Sequence, residues 1–226
     1  MGSRKAVAAV AGIGVVALLG VGAYVGFGDG DDSGGRGSVG AAGGPYKLIA
    51  PQAVLGKYEQ VEGITSAAME HPAGFGVRGA KTVQAVYGSG RGAKALSAGL
   101  IQFTGAYGTV AAPGKTVDAL FADLAAKARK PGKGGEKSTM VGRPEDFSAD
   151  GVVVKCQETR TEGSSAAAPE ERRVLRAPVC AWADRSTAAV VMPMDTRATK
   201  AGKDVSLDEA AATTARLRAE VRVAVK

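Results

Sequence analysis

The stretch GVVVKCQETRTEGSSAAAPEERRVLRAPVCAWA, residues 151–183, contains two strand patterns and both cysteines of the chain. The Val-rich run 151–160 is typical of a β-strand, and residues 172–183 form its expected partner. The polar segment TEGSSAAAPEE, residues 161–171, is predicted to be the loop that joins them. The stretch therefore predicts a β-hairpin, and the remaining elements extend the sheet that begins here.

Cys156 and Cys180 are the only cysteines, and their spacing fits a bridge across this hairpin. Their midpoint is residue 168, inside the predicted loop, so the two side chains are expected to face each other across an antiparallel pair. A metal or redox role would require a C-x-x-C motif or several histidines, and the chain has a single histidine. We therefore predict a structural disulfide, with Trp182 on the same face as Cys180 and covering the bridge.

Further strand and helix patterns complete the predicted domain. Strands are predicted at 81–90, 100–107 and 188–192, and helices from a Thr116 cap to Lys130 and over residues 206–225. The second helix opens with a capping box, Ser206 to Glu209. The predicted fold class is therefore α+β: an antiparallel sheet of about five strands with helices packed on one face, preceded by one transmembrane helix.

The N-terminus predicts the compartment of the domain. Residues 6–28 carry no charge, and about 20 helical residues cross the hydrocarbon core of a bilayer. Two basic residues precede this segment and three aspartates follow it, so we expect a transmembrane helix with residues 1–5 in the cytoplasm. Residues 29–44 are dominated by Gly, Ser and Asp and are predicted to be a flexible linker to an extracytoplasmic domain, residues 45–226.

The same N-terminal segment has one other interpretation, and it carries one further motif. Small residues permit signal-peptide cleavage near Ala23, which would release a secreted domain. We favour a retained anchor because apolar residues continue through Phe27. Gly22 and Gly26 are spaced to let two such helices pair closely, although Gly is common in membrane helices generally.

Two segments carry a resemblance to a known group: YKLIAP…VLGKY, residues 46–58, and VCAWADRSTAAVVMP, residues 179–193. With a partner cysteine on an earlier Val-rich strand, they resemble uncharacterised single-pass membrane proteins of Streptomyces-type actinobacteria. In that group a short cytoplasmic tail, one membrane helix and a Gly-rich linker precede a small exported domain. The resemblance implies a location at the cell membrane with the domain outside. It implies no activity, because the group has no established one.

Charge and motifs bear on the partners of the chain. The net charge of +7 favours anionic partners such as lipid head groups or wall polymers, although scattered, solvated Lys and Arg give the same total. GFGVRG, residues 74–79, has dinucleotide-motif spacing but follows Pro72 and precedes a strand instead of a helix. APGKT, residues 112–116, has Thr109 where a phosphate loop requires Gly. We therefore expect no nucleotide, nucleic acid, metal or cofactor.

Catalytic patterns are weak in this sequence. His71 is the only histidine and is expected to be exposed in a Gly/Pro-rich loop. The carboxylate pairs Glu145/Asp146 and Asp208/Glu209 are interpreted as a turn and a helix cap. We expect a membrane-tethered extracytoplasmic binding or accessory domain instead of an enzyme. The alternatives are a hydrolase-like envelope enzyme that uses carboxylates or His71, and a small subunit of a membrane complex.

Overall fold

The structure, a computed structural model, describes residues 45–63, 69–90, 98–132, 135–165, 168–196 and 206–225. The predicted cytoplasmic tail, apolar segment and linker lie outside the described residues. Within them the fold is mostly β: strands make up 51%, with ten strands in two antiparallel sheets and two helices. Neither of these two helices has the length and apolarity required to cross a membrane.

Eight strands form the main sheet, and the first and last strands form a small second one. The strands are β1 (Tyr46–Leu48), β2 (Ala53–Val54), β3 (Tyr58–Gln60), β4 (Val77–Gly88), β5 (Leu100–Val110), β6 (Lys137–Asp146), β7 (Val153–Ser165), β8 (Ala168–Ala183), β9 (Thr187–Met194) and β10 (Arg222–Ala224). The helices are α1 (Pro113–Ala128) and α2 (Leu207–Val221), and a 3₁₀ turn spans Pro72–Phe75. The main sheet has the order β2-β3-β4-β5-β9-β8-β7-β6, and β1 pairs with β10.

The two helices pack on opposite faces of the main sheet. Val179 and Ala181 of β8 lie in one core cluster with Leu120 of α1. Trp182, between Ala181 and Ala183 on the same strand, lies in a second cluster with Leu217 of α2. Because successive residues of a strand point to opposite faces, the sheet is covered on both sides. The domain therefore has three layers, with the main sheet between α1 and α2, and it has one core cluster on each face of the sheet.

The predicted α+β class, with about five strands and both helices on one face, is therefore wrong. Strand content was underestimated because edge strands of this sheet lack an apolar face. Nearly every residue of β6 is exposed or half-buried, so it shows no alternation of apolar and polar residues. The short strands β1, β2, β3 and β10 have too few residues for any period to be recognised.

The hairpin register predicted from the cysteines is confirmed. Cys156 of β7 lies directly opposite Cys180 of β8, and the pairing continues to Ser165 and Ala168. The predicted loop 161–171 is consequently almost all strand. On its outer side β7 pairs with β6 only as far as Glu162, so within the predicted loop Thr161 and Glu162 alone lie between two paired strands.

The two helices follow their predicted patterns but differ at their ends. α1 begins at Pro113 with Ala112 at the N-cap, and the predicted cap Thr116 is buried inside the helix. The apolar residues of α1 recur at helical spacing and are buried: Val117, Leu120, Phe121, Leu124 and Ala128. The α2 cap is confirmed, since Ser206 Oγ accepts a hydrogen bond from the Glu209 N–H over 3.2 Å. That helix ends at Val221, before the predicted end, because the chain becomes extended at Arg222 to form β10.

Candidate functional site

The disulfide between Cys156 and Cys180 is present, and both residues are fully buried. Their Cα atoms lie 4.0 Å apart, across the antiparallel pair of β7 and β8. Ala210 and Ala211 of α2 share a core cluster with the bridge. The bridge therefore joins β7 and β8 near the open end of the hairpin, three residues from the Val153–Ala183 pair, where α2 packs on the sheet.

Trp182 lies on the same face as Cys180, as predicted, but its main contact is elsewhere. Its ring stacks on Phe103 with centroids 5.9 Å apart and planes 11° from parallel. Both residues are buried in the cluster that contains Leu217 of α2. The disulfide is covered by the small side chains of α2, while Trp182 fills the centre of this face.

A buried carboxylate, Asp184, organises the turn between β8 and β9. Its Oδ1 accepts hydrogen bonds from the Ser186 and Thr187 N–H groups, each over 2.8 Å. The hydroxyl groups of the same two residues donate to its two oxygens, over 3.1 and 2.8 Å. The sequence DRST, residues 184–187, is typical of a turn, because Asp at the first position of a turn commonly accepts such bonds.

Two arginines from the C-terminal part of the chain complete this cluster. Arg218 Nη2 donates to Asp184 Oδ2 over 2.6 Å, and Arg222 Nε lies 2.9 Å from the same oxygen. The guanidinium of Arg222 also lies over the ring of Tyr46, 3.1 Å from its centroid. The cluster therefore joins the β8–β9 turn to α2, β10 and β1. We call Tyr46, Asp184, Arg218 and Arg222 the Asp184 cluster.

The protonation state of Asp184 follows from these contacts. Burial is the largest single influence and by itself raises the pKa of this carboxyl group. The hydrogen bonds from Arg218, Ser186 and Thr187 act in the opposite direction and together outweigh it, so the pKa lies below its ordinary value. Asp184 is therefore ionised at neutral pH, and its charge is balanced by two arginines. This arrangement stabilises the packing of α2, β10 and β1 against the β8–β9 turn.

The residues considered for catalysis are not brought together. His71 is exposed at the start of the 3₁₀ turn, as predicted. Asp208 and Glu209 lie in the first turn of α2, also as predicted. Glu145 lies in β6 opposite Cys156, in a strand and not in the predicted turn.

The nucleotide-like motifs have ordinary structural roles. GFGVRG, residues 74–79, runs out of the 3₁₀ turn directly into β4, as its sequence context predicted. APGKT, residues 112–116, forms the N-cap and first turn of α1, and Thr116 N–H donates to the Ala112 carbonyl over 3.0 Å. Each motif is accounted for by local backbone structure.

A small cavity lies between α1 and the 3₁₀ turn, and it is lined by apolar, hydroxyl and charged side chains: Met69, Glu70, Phe75, Thr104, Leu120, Asp123, Leu124, Lys127 and Val190. Its volume of about 20 Å³ holds one water molecule, far below the size of a small-molecule site. Within the described part of the chain, no three His, Cys, Asp or Glu side chains are grouped so as to hold a metal ion.

Sequence reasoning missed the Asp184 cluster and placed two candidates where the structure gives no description. Gly22 and Gly26, proposed for helix pairing, lie outside the described residues. Arg218 and Arg222 are four residues apart, a spacing that puts two side chains on one side of a helix, and this was the available signal.

No family model matches the chain, and no curated protein sequence matches it.

Proposed function

We propose that residues 45–226 form an extracytoplasmic domain that acts by binding, as an accessory or sensory module at the outer face of the cell membrane. The apolar segment 6–28 is its anchor and the Gly-rich segment 29–44 its linker. The observation that carries the proposal is the buried disulfide Cys156–Cys180. Disulfides persist in oxidising compartments and are rare in the cytosol, so this bond supports export of the domain.

Three further features support the proposal. The apolar segment has the length of a membrane span, with basic residues before it and acidic residues after it, which favours a cytoplasmic N-terminus. The resemblance to single-pass membrane proteins of Streptomyces-type actinobacteria points to the same arrangement. The positive net charge of +7 favours an anionic component of the envelope as the partner.

The experiment measures the location of the domain and the state of its thiols together. The full chain carries a C-terminal epitope tag in a bacterial host, and a matched variant lacks residues 6–28. Cells are quenched in acid, free thiols are blocked, and the protein is then reduced and labelled with a mass-tagged maleimide. We expect two labels on the full chain after reduction and none on the variant, because its thiols remain free in the cytoplasm and are blocked first.

Protease added to intact cells gives the second readout. We expect loss of the tag from the full chain and its persistence in the variant until the cells are lysed. A tag that is protected in the full chain, or thiols that are blocked before reduction, would contradict export. Recovery of the domain from the medium with a new N-terminus after Ala23 would instead establish the cleaved, secreted alternative and exclude the anchor.

A further inference from the structure

One end of the main sheet holds the β8–β9 turn, residues 184–186, and we call it the entry end. β5 finishes here, since the Val110 N–H donates to the Arg185 carbonyl over 2.9 Å. β4 begins here, because Val77 pairs with Val110. α1 also starts at this end, three residues after β5.

Four basic side chains are exposed around the entry end. Arg78 and Lys81 lie at the start of β4, opposite Thr109 and Tyr107 of β5. Lys115 lies in the first turn of α1, and Arg185 lies in the β8–β9 turn. The four residues come from separate parts of the chain, so only the fold brings them to one end.

The first described residue of the chain lies at the same end. Tyr46 contacts Arg222, and Arg222 contacts Asp184 of the β8–β9 turn. The Pro45 carbonyl accepts a hydrogen bond from the Val225 N–H over 2.8 Å, which fixes the start of β1 beside β10. A Gly-rich linker over residues 29–44 has an end-to-end distance of roughly 20–25 Å. An anchor before that linker therefore keeps the entry end within a few nanometres of the bilayer.

Acidic groups do not cancel this basic surface. The charge of Asp184 is balanced by Arg218 and Arg222. Asp118 pairs with Lys155 over 2.6 Å. Asp146 lies at the end of β6 and Asp150 in the turn before β7, and these are the two outermost strands of the sheet, beyond β8. The part of the entry end formed by β4, β5, α1 and the β8–β9 turn is therefore positively charged.

We propose that this basic surface, Arg78, Lys81, Lys115 and Arg185, docks on the anionic head groups of the membrane that anchors the chain. The inference rests on the proposed function, because it requires the anchor. Each basic residue near an anionic surface favours the docked state by about fivefold. The domain carries four such residues and is held near the bilayer by a short linker, so we expect the docked state to predominate. In that state the C-terminus of α1 and the far end of the β7–β8 hairpin point away from the bilayer.

The test uses the full chain in nanodiscs of phosphatidylcholine, alone or mixed with phosphatidylglycerol. An amine-reactive reagent labels exposed lysines, and mass spectrometry gives the rate for each. Lys81 and Lys115 report on the entry end. Lys130 and Lys137 report on the opposite end, since β6 begins there with Lys137 opposite Glu162. We expect Lys81 and Lys115 to react at least about fivefold more slowly in anionic nanodiscs, with little change at the other two lysines. High salt removes the difference.

Charge reversal provides matched variants that leave these lysines in place. Arg78→Glu with Arg185→Glu is expected to restore the reactivity of Lys81 and Lys115 in anionic nanodiscs. Arg129→Glu with Arg160→Glu changes the net charge equally at the opposite end and is expected to leave the shielding intact. Equal loss of shielding in both variants would overturn a specific docking surface.

Insertion of the chain is measured separately from docking, by its retention in the nanodisc after an alkaline wash. A retained chain whose four lysines react equally in both lipids overturns docking while the proposed anchor stands. A chain that is washed away overturns the anchor itself, and docking with it. Shielding by soluble polyphosphate over phosphatidylcholine nanodiscs, without shielding on anionic ones, would assign the surface to a wall polymer and overturn the lipid proposal.

Discussion

Arg218 Nη2 lies 2.6 Å from Asp184 Oδ2, and this hydrogen bond joins the end of α2 to the β8–β9 turn. The side chains are 19% and 8% exposed, so the pair is largely shielded from water. Removing one partner of a buried ion pair leaves an uncompensated charge, which costs more than the pair itself contributes. The contact therefore fixes the position of α2 and β10 on the sheet.

Asp184→Asn is expected to lower the free energy of unfolding by about 3 kcal/mol, because two arginines lose their counter-charge. Urea denaturation followed by the fluorescence of Trp182, the only tryptophan, measures this change. Asp118→Asn is the control: the Asp118 side chain is 64% exposed, and its carboxylate pairs with Lys155. We expect that variant to lose less than about 1 kcal/mol. Equal losses in the two variants would show that the Asp184 cluster is not a stabilising joint.

The same carboxylate makes stability depend on pH. Because the pKa of Asp184 is lowered in the folded protein, its contribution is fully present above the ordinary carboxyl value, about 3.9. The contribution is lost as the pH falls through the lowered pKa. Unfolding free energies measured at steps from about pH 7 to about pH 2 are expected to converge for the wild type and Asp184→Asn at the acid end. Asp146 also has a lowered pKa, but it is present in both proteins and cancels. Parallel curves would contradict the assignment to Asp184.

The hairpin was predictable from the sequence, and the arrangement of the helices was not. Cys156 and Cys180 sufficed to predict the register, because they lie opposite one another and the pairing is regular from Val153 to Ser164. The run Val179–Ala183 is buried at every residue, which is typical of a strand covered on both faces. Read that way, this apolar run at the end of β8 would have placed the helices on opposite faces.

Other features were not predictable because they depend on distant parts of the chain. β6 is exposed on the edge of the sheet, where hydrogen bonds to β7 define the strand and burial does not. Asp184 and Arg218 are 34 residues apart, and neither shows from its neighbours that the other will be near. The basic residues of the entry end are likewise distant in sequence, since they come from β4, α1 and the β8–β9 turn. Such sites become visible only after the strand order is known.

Replacing both cysteines by alanine is expected to lower the free energy of unfolding by about 3 kcal/mol. The two cysteines are 24 positions apart, and the lost entropy of closing a loop of that length in the unfolded chain corresponds to about 3.5 kcal/mol. Because the bridge is fully buried, dithiothreitol is expected to leave it intact in the folded protein and to reduce it only when urea exposes it. Urea denaturation of the wild type with and without reductant, beside the double variant, checks both statements. Unchanged stability in the variant would show that the sheet alone holds the register.

Gly105 of β5 is expected to tolerate no side chain, because β1 crosses the sheet directly above it. An added Cβ would lie 2.6 Å from Leu48 Cδ1 and 2.9 Å from the Ala188 carbonyl oxygen. Gly105→Ala is therefore expected to lower the free energy of unfolding by about 1–3 kcal/mol through overpacking.

Gly114→Ala is the matched control: Gly114 lies in the first turn of α1, and nothing lies within 4 Å of the new Cβ. Alanine there is expected to be neutral or to stabilise by up to about 1 kcal/mol, since it restricts the unfolded chain more than glycine does. Both values come from urea denaturation under one set of conditions. A Gly105→Ala protein as stable as the wild type would contradict the close approach of β1, and with it the placement of Pro45 at the entry end.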